Sequence, residues 1–453
     1  MDADVVVVGT GPGGESLANK AARAGLKVVA VEKHLVGGEC PYYGCIPSKM
    51  MLRAADALAE AHRAGQLAGD VTVTPSWAPV AKRVAEEATA HWDDSAAVDR
   101  LEESGATVLR GTGRLDGARR VVVRPSDGSP EVGIDARIGI VLNPGTRPAA
   151  PPIAGLEGTP YWTNREALQA TDVPGELIVI GGGPIGCELT QVFARFGSRV
   201  TLVQHGPRLL PADEPEAGAL LEQVLVEEGV RVLIDANPAD VQYAEGRFTL
   251  TLADGQQVSA DRLLVAAGRT PNLDDLGLES VGLDPQHIEV DERMRAGEGL
   301  WVIGDVVGHG AFTHVSMYQS DIALRDLEGM DGPPASYHAV PHTTFTDPEV
   351  GGVGLTEEKA REQGLTVRVG QADLGASSRG FTHGPGAVGF VKVVESDGVL
   401  VGASVVGPAG GEILAALTLA VHARIPVSTL RTMIYAYPTF HRTIESALAD
   451  LDD

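Results

Sequence analysis

Cysteine is scarce, with three in 453 residues. That excludes the disulfide scaffolds on which small secreted domains depend. Aromatic residues make up 4% of the chain and lysine occurs only seven times, whereas hydrophobic residues reach 43%. Cores must therefore be filled by Val, Leu, Ala and Ile. Positive charge is short as well: 36 Lys and Arg face 61 Asp and Glu, a net charge of -25. Nucleic acid and anionic membranes would be repelled by such a surface. No apolar run approaches the roughly 20 residues needed to span a bilayer. The opening Met1-Asp2-Ala3-Asp4 also lacks the basic, apolar, small-residue order of a signal peptide. A cytoplasmic protein without nucleic-acid or membrane partners is expected.

A chain of this length predicts several domains, and one plan is used twice. The apolar run Val5–Val8 ends in Gly9-Thr-Gly11-Pro-Gly-Gly14, followed by a helical stretch over Glu15–Ala24 and a second apolar run ending at Glu32. Far downstream, Leu177–Ile180 ends in Gly181-Gly-Gly183-Pro-Ile-Gly186, followed by a helical Cys187–Phe196 and a run ending at Gln204. The step from first glycine to terminal position is 23 residues in both copies. The first glycine allows a tight turn, the second lets backbone amides approach a pyrophosphate, and the third lets helix and strand pack closely. The helix N-terminus adds a partial positive charge facing the phosphate. Two dinucleotide sites are predicted. Glu32 suits the hydroxyls of an adenosine ribose, whereas Gln204 is uncharged and is followed by Arg208. The two nucleotides therefore differ, and the second site is expected to take NADPH at least as well as NADH. After about residue 335 alternating strands such as Gly389–Val394 and Leu400–Val406 precede a helical Glu412–Ala423, which predicts a separate α+β domain.

The segment Gly37-Gly-Glu-Cys40-Pro-Tyr-Tyr-Gly-Cys45-Ile-Pro-Ser-Lys49 follows directly on Glu32. The cysteines can close a short loop at the start of a helix beginning near Pro47, whose N-terminus would depress a thiol pKa. Zinc would need two further ligands, and no second Cys/His pair has metal-ligand spacing. A redox-active pair is expected and no metal. The aromatic Tyr42-Tyr43 between the cysteines is either packing or a stacking wall for a planar acceptor. Cys187 is expected to be a small packed residue.

These motifs together resemble the class I pyridine nucleotide–disulfide oxidoreductases, the family of dihydrolipoamide dehydrogenase, glutathione reductase and mercuric reductase. The resemblance covers essentially the whole chain. It runs through Gly9–Gly14, GGECPYYGCIPSK, GGGPIGCE, Gly268-Arg-Thr-Pro-Asn272, Trp301-Val-Ile-Gly-Asp305 and a C-terminal Tyr437-Pro-Thr439. It implies an α/β fold with two Rossmann-like dinucleotide-binding domains plus a C-terminal α+β dimerisation domain. The implied layout is an FAD-binding domain in two parts (1–148 and 269–334), an NAD(P)-binding domain (149–268) and a dimerisation domain (335–453). It implies FAD and NADPH or NADH as cofactors, a homodimer, and a small-molecule electron acceptor. Cys45 is similar to the flavin-proximal thiol, Cys40 to the interchange thiol, Lys49 to the lysine beside the flavin, and Glu188 to its carboxylate partner. The cofactor-binding residues it implies are Gly9, Gly11, Gly14, Glu32, Lys33, Gly38, Lys49, Gly113, Gly145, Gly304, Asp305, Ala311, Phe312, Thr313, Gly181, Gly183, Gly186, Gln204, Arg208, Gly268 and Arg269.

One part departs from the family pattern. Disulfide-reducing members end in His-Pro with a glutamate five residues after the histidine, and here the segment reads Tyr437-Pro438 with Arg442. A phenol with an ordinary pKa near 10 is a poor base at neutral pH. Tyr437 and the nearby His441 are the candidate acid/base residues, and slow lipoamide and glutathione disulfide turnover is expected. The acceptor is then a disulfide needing no histidine base, a quinone or a metal ion. The alternatives are dihydrolipoamide dehydrogenase proper and a redox-sensing flavoprotein with little turnover.

Overall fold

The structure is a computed structural model that describes residues 1–451. Its chain folds into two compact units. One contains residues 1–47, 83–148 and 269–337; the other contains 48–82, 149–268 and 338–453.

In the first unit, β1 (Asp2–Val8) and β2 (Val28–Glu32) pair in parallel, joined by helix α1 (Pro12–Arg23). The short helix α2 (Glu39–Tyr43) follows, and then α3 (Cys45–Arg63). Strand β1 is buried on both faces, which explains its unbroken run of valines. Val6 and Val8 join Leu115, Val121 and Ile140 in one core, while Val5 and Val7 join Leu17, Ala18 and Ala21 of α1 in the other. The strands form one seven-stranded sheet, completed by Thr107–Leu115, Arg120–Pro125, Val132–Leu142, Leu300–Val302 and Arg295–Gly297.

In the second unit, β3 (Glu176–Ile180), α4 (Pro184–Arg195) and β4 (Arg199–Val203) repeat the strand–helix–strand plan with parallel register. They belong to a four-stranded parallel sheet, beside which Pro238–Ala244, Arg247–Leu252 and Gln257–Ala260 form a three-stranded antiparallel sheet. The C-terminal part has a five-stranded sheet with strand order Pro341–Thr344, Glu349–Gly354, Val399–Gly407, Phe390–Ser396, Arg368–Asp373. Its core packs Val391, Val393 and Val405 against Leu414 and Leu417 of the helix Gly410–His422. The fold is α/β with two Rossmann-like halves and a C-terminal α+β part.

Both long glycine-turn helices start three residues earlier than the sequence reading placed them, at Pro12 and Pro184. Proline is suited to a first helical turn, since its fixed φ matches the helix and its missing N–H would have had no partner there. Helix α3 likewise starts at Cys45 rather than near Pro47.

The second unit holds a buried cation. Lys392 is 2% exposed, and its Nζ lies 2.9 Å from Glu214, 2.8 Å from Glu216 and 3.1 Å from Glu357. Burial opposes its charge, but the bonds to Glu216 and Glu214 outweigh that and raise its pKa. Removing one partner of a buried ion pair costs about 3–5 kcal/mol. Lys392→Met should lose about that much stability in urea unfolding at pH 7. The deficit should shrink as the pH falls through the carboxylate range, where the stranded glutamates take up protons.

Candidate active site

Glycine geometry builds the first site. A Cβ on Gly14 would collide with the carbonyl oxygen of Gly9, and Gly9 itself has φ +89°. Only glycine lets α1 start this close to the end of β1. Gly11 is the N-cap of helix α1, and no side chain caps the helix. The amides of its first turn thus remain for an anion. Glu32 is 8% exposed; its Oε2 accepts from the Thr10 amide at 2.7 Å and its Oε1 from the His34 amide at 2.8 Å. These bonds aim the carboxylate while leaving lone pairs for ribose hydroxyls. Lys33 is exposed just beyond it. Gly113 lies in the strand Thr107–Leu115, where a Cβ would meet the side chains of Val8 and Val31 at 3.2 Å, a tight fit in the core. A nucleotide diphosphate fits this cradle.

The cysteine segment lies directly on that turn. The Gly37 amide donates to the Thr10 carbonyl at 2.8 Å, and a Cβ on Gly38 would stand 2.8 Å from the Gly11 Cα. Both glycines have positive φ. Cys40 sits in α2, Gly44 breaks the helix, and Cys45 opens α3. The sulfur of Cys45 is 3.4 Å from Thr313 Oγ1, at the first residue of α5 (Thr313–Leu327), with Ala311 and Phe312 leading into it. Cys40 and Cys45 are free thiols in contact with each other. The expected lowering of the thiol pKa does not hold for Cys40. Its thiol hydrogen-bonds to Cys45, and that bond together with burial pushes its pKa well above the ordinary thiol range. Tyr42 is 6% exposed, and burial, followed by nearby Asp94, pushes its phenol up to about 12. It is a packed residue rather than a stacking wall, whereas Tyr43 is half-buried.

Behind this loop, Asp305 accepts from Thr146 Oγ1 at 2.9 Å, and Arg269 donates to the same Oγ1 at 2.6 Å. The Gly304 amide donates to Gln319 at 2.7 Å. Around Gly145, whose φ is +66°, a Cβ would meet nothing within 4 Å. The backbone there faces open space.

In the second unit, Glu188 on α4 is 5% exposed and pairs with Lys49 of α3 through both oxygens, at 3.0 and 2.9 Å. Its Oε1 also accepts from the Phe345 amide at 2.8 Å, and Lys49 Nζ stands 4.6 Å above the Phe345 ring. Gln191 bonds both the amide and the carbonyl of Asp347 at 2.8 Å. Arg195 reaches Asp56 at 2.8 Å, Asp347 at 2.9 Å and Glu228 at 2.6 Å. Phe345, Gln191, Arg195 and Asp347 were missed in the sequence. The signal was there in helical spacing: 188, 191 and 195 share one face of α4, as do 49, 56 and 63 of α3.

The second glycine turn also rests on close approach, since a Cβ on Gly186 would run into the Gly181 carbonyl, while Gly183 and Gly268 face open space. Gln204 is 4% exposed and accepts from the Gly182 amide at 2.9 Å. Arg208, expected to meet a phosphate, donates to the Pro211 carbonyl and to Glu358, each at 3.2 Å. Its Nη2 is already paired with that carboxylate, while its buried Nε has no hydrogen-bond partner. Cys187 is fully buried, and burial raises its thiol pKa.

At the C-terminus Tyr437 is 68% exposed, with the Arg442 guanidinium 5.4 Å over its ring. Arg442 pairs with Glu445 at 3.0 Å, so that carboxylate is turned toward Arg442. The His441 ring lies 6.2 Å from buried Tyr435. Among the described residues no group of three or more His, Cys, Asp or Glu could hold a metal ion, and no helix is long and apolar enough to cross a membrane.

Because the Cys45 sulfur holds up the pKa of Cys40, Cys45→Ser should release it. Alkylation of Cys40 by iodoacetamide at pH 8, followed by peptide mass mapping, should then run about tenfold faster or more, since thiolate is the reactive form. An unchanged rate would mean that burial alone sets the Cys40 pKa.

Comparison with known proteins agrees with this geometry. Residues 3–320 match the model of the pyridine nucleotide-disulphide oxidoreductases, and residues 340–448 match the dimerisation domain of the same proteins. The chain is 34% identical to a dihydrolipoyl dehydrogenase of Thermus scotoductus over 98% of this chain and 96% of that one. It is 33% identical to a mercuric reductase of Acidithiobacillus ferrooxidans over 96% of this chain and 80% of that one. Among solved structures, a Cu(II) complex of the HOCl-induced flavoprotein disulfide reductase RclA from Escherichia coli superposes with a TM-score of 0.87 at 25% identity, covering 99% of both chains. LpdA from Mycobacterium tuberculosis superposes with a TM-score of 0.87 at 27% identity, again over 99% of both. Members of this family use FAD and NAD(P)H, and both glycine cradles fit such nucleotides. The chain belongs to the pyridine nucleotide-disulphide oxidoreductases and is an FAD-containing, NAD(P)H-dependent oxidoreductase.

Proposed function

We propose that this oxidoreductase carries electrons from NAD(P)H to the Cys40–Cys45 pair and on to an acceptor that needs no imidazole base: a quinone or an oxidised metal ion. The observation that carries this reading is the C-terminal segment. Tyr437 stands where disulfide-reducing relatives have histidine, and the cation over its ring, Arg442, stands where they have glutamate. Bound FAD supplies the two-electron relay between nicotinamide and thiols. The chain's own residues do the rest. Glu32 binds ribose, the α1 amides bind pyrophosphate, and Asp305 is held ready by Thr146. Lys49, fixed through both oxygens of Glu188, presents a cation whose position is locked by the Phe345 amide. The disulfide form of the pair would take up two electrons from bound FAD through Cys45, together with two protons, to give two thiols, and Cys40 would meet the acceptor. Oxidation of the two thiols to a disulfide releases two electrons and two protons. A quinone takes up both to become a hydroquinone; two Cu(II) ions take only the electrons, and the protons pass to water. The Cu(II) complex of the Escherichia coli relative favours including a metal ion among the acceptors.

The same reading makes the protein a cytoplasmic homodimer. The dimerisation-domain match supports the dimer, as do the exposed Ile434 and Phe381, 95% and 85% exposed in the single chain.

An acceptor panel tests the reading. NAD(P)H oxidation with quinones or Cu(II) should outrun that with lipoamide or glutathione disulfide. General acid–base catalysis contributes about 10²–10⁴-fold, so Tyr437→His combined with Arg442→Glu should raise disulfide turnover and leave flavin reduction nearly unchanged. Ordinary lipoamide turnover by the unaltered protein would overturn the proposal and make His441 the base to test.

The nicotinamide preference follows from Gln204. With a neutral amide there, a 2′-phosphate meets no repulsion, so NADPH should serve at least as well as NADH. Gln204→Glu should turn the preference toward NADH, measured as the ratio of kcat/KM for the two nucleotides.

A further inference from the structure

A strained segment of the first unit grips the redox loop from both sides. Ala90, His91 and Trp92 are three consecutive non-glycine residues with φ of +47°, +60° and +58°, a left-handed turn that side chains oppose. The turn is anchored by Thr89, which is 1% exposed. Its hydroxyl donates to the Val84 carbonyl at 3.0 Å and accepts from the Trp92 amide at 3.4 Å. The result of this geometry is two bonds to the cysteine segment. The indole N–H of Trp92 donates to the carbonyl of Tyr42 at 3.2 Å, between the two cysteines. Asp94, 8% exposed, accepts from the Val36 amide at 2.6 Å, just before Gly37, and is itself held by Arg110.

The Tyr42 carbonyl lies in the last turn of α2, where helical carbonyls have no partner within the helix. The Trp92 bond supplies one and fixes where α2 stops. That stop sets the approach of Cys40 to Cys45, because only Gly44 separates the end of α2 from Cys45 at the start of α3. Strain held by surrounding structure is expected where it serves a geometry.

We propose that Trp92 is a positioning residue for the Cys40–Cys45 couple: by capping the Tyr42 carbonyl it keeps the two sulfurs in bonding register, stabilising the disulfide and lowering the couple's reduction potential. The inference rests on the reading of Cys40–Cys45 as a redox pair. A loosened loop lowers the effective concentration of one thiol at the other. The dithiol then becomes relatively more favourable and the potential rises.

The test replaces Trp92 with β-(3-benzothienyl)alanine, which keeps the shape and loses the N–H, and with Phe as the genetic equivalent. The holoprotein is equilibrated without oxygen in fixed ratios of reduced and oxidised dithiothreitol. In that exchange the protein dithiol and the cyclic disulfide reagent become protein disulfide and reagent dithiol. The free thiols are then alkylated and counted by mass. A tenfold loss of effective concentration raises a two-electron potential by about 30 mV, and a rise of that order is expected for both variants. His91→Gly relieves the left-handed turn and leaves the indole bond in place, so it should raise the urea midpoint and leave the potential where it was. An unchanged potential in the benzothienyl variant would overturn the inference, as would an equal shift in His91→Gly. If the unaltered protein forms no Cys40–Cys45 disulfide at any ratio, the redox reading itself fails instead.

Discussion

A Cβ on Gly38 would stand 2.8 Å from the Cα of Gly11, and one on Gly14 would strike the carbonyl of Gly9. These two close approaches, backbone on backbone, are the constraint on which the first unit depends. The first lays the cysteine segment on the turn that faces a pyrophosphate. The second lets α1 begin where its amides can meet that charge. Together they bring a thiol pair and a dinucleotide cradle to one place without using a single side chain. The cost is conformational, since Gly9, Gly37 and Gly38 all have positive φ, which only glycine adopts freely.

The second unit solves a different problem, that of holding cations inside an acidic chain. Two of the seven lysines, Lys49 and Lys392, are fixed by buried carboxylates. Arg195, whose side chain is 6% exposed, is surrounded by Asp56, Asp347 and Glu228. A buried charge is tolerated only when paired and hydrogen-bonded, and each of these groups is. The Arg195 cluster and the Gln191 bonds to Asp347 fasten the 345–347 segment to α4. That segment's Phe345 amide in turn orients Glu188, and Glu188 orients Lys49. The position of one lysine is thus set by a chain of contacts extending about two turns along each of two helices.

The left-handed turn at 90–92 follows the same logic with strain in place of charge. Three non-glycine residues in that region cost roughly 1–3 kcal/mol each. They are held by the buried Thr89 hydroxyl at one end and by Asp94 with Arg110 at the other.

The sequence by itself determined the two glycine turns, their strands, the cysteine pair beside the first turn, and the Lys49 and Glu188 positions. Each of these depends on local periodicity or on a residue type that only one local geometry requires. It also singled out Tyr437 and Arg442, which the structure brings together, the guanidinium 5.4 Å over the ring. Three things were decided only by tertiary structure. The Cys40 thiol lies high in pKa because a hydrogen bond to the Cys45 sulfur and burial raise it. Arg208 is committed to Glu358, a partner 150 residues away. Trp92 and Asp94 reach the redox loop through a turn whose φ values no propensity of Ala, His or Trp would suggest. Burial and a thiol–thiol contact made in the fold decide the first, a distant partner the second and a locally unfavourable backbone the third, and none of these is written in a pattern of adjacent residues.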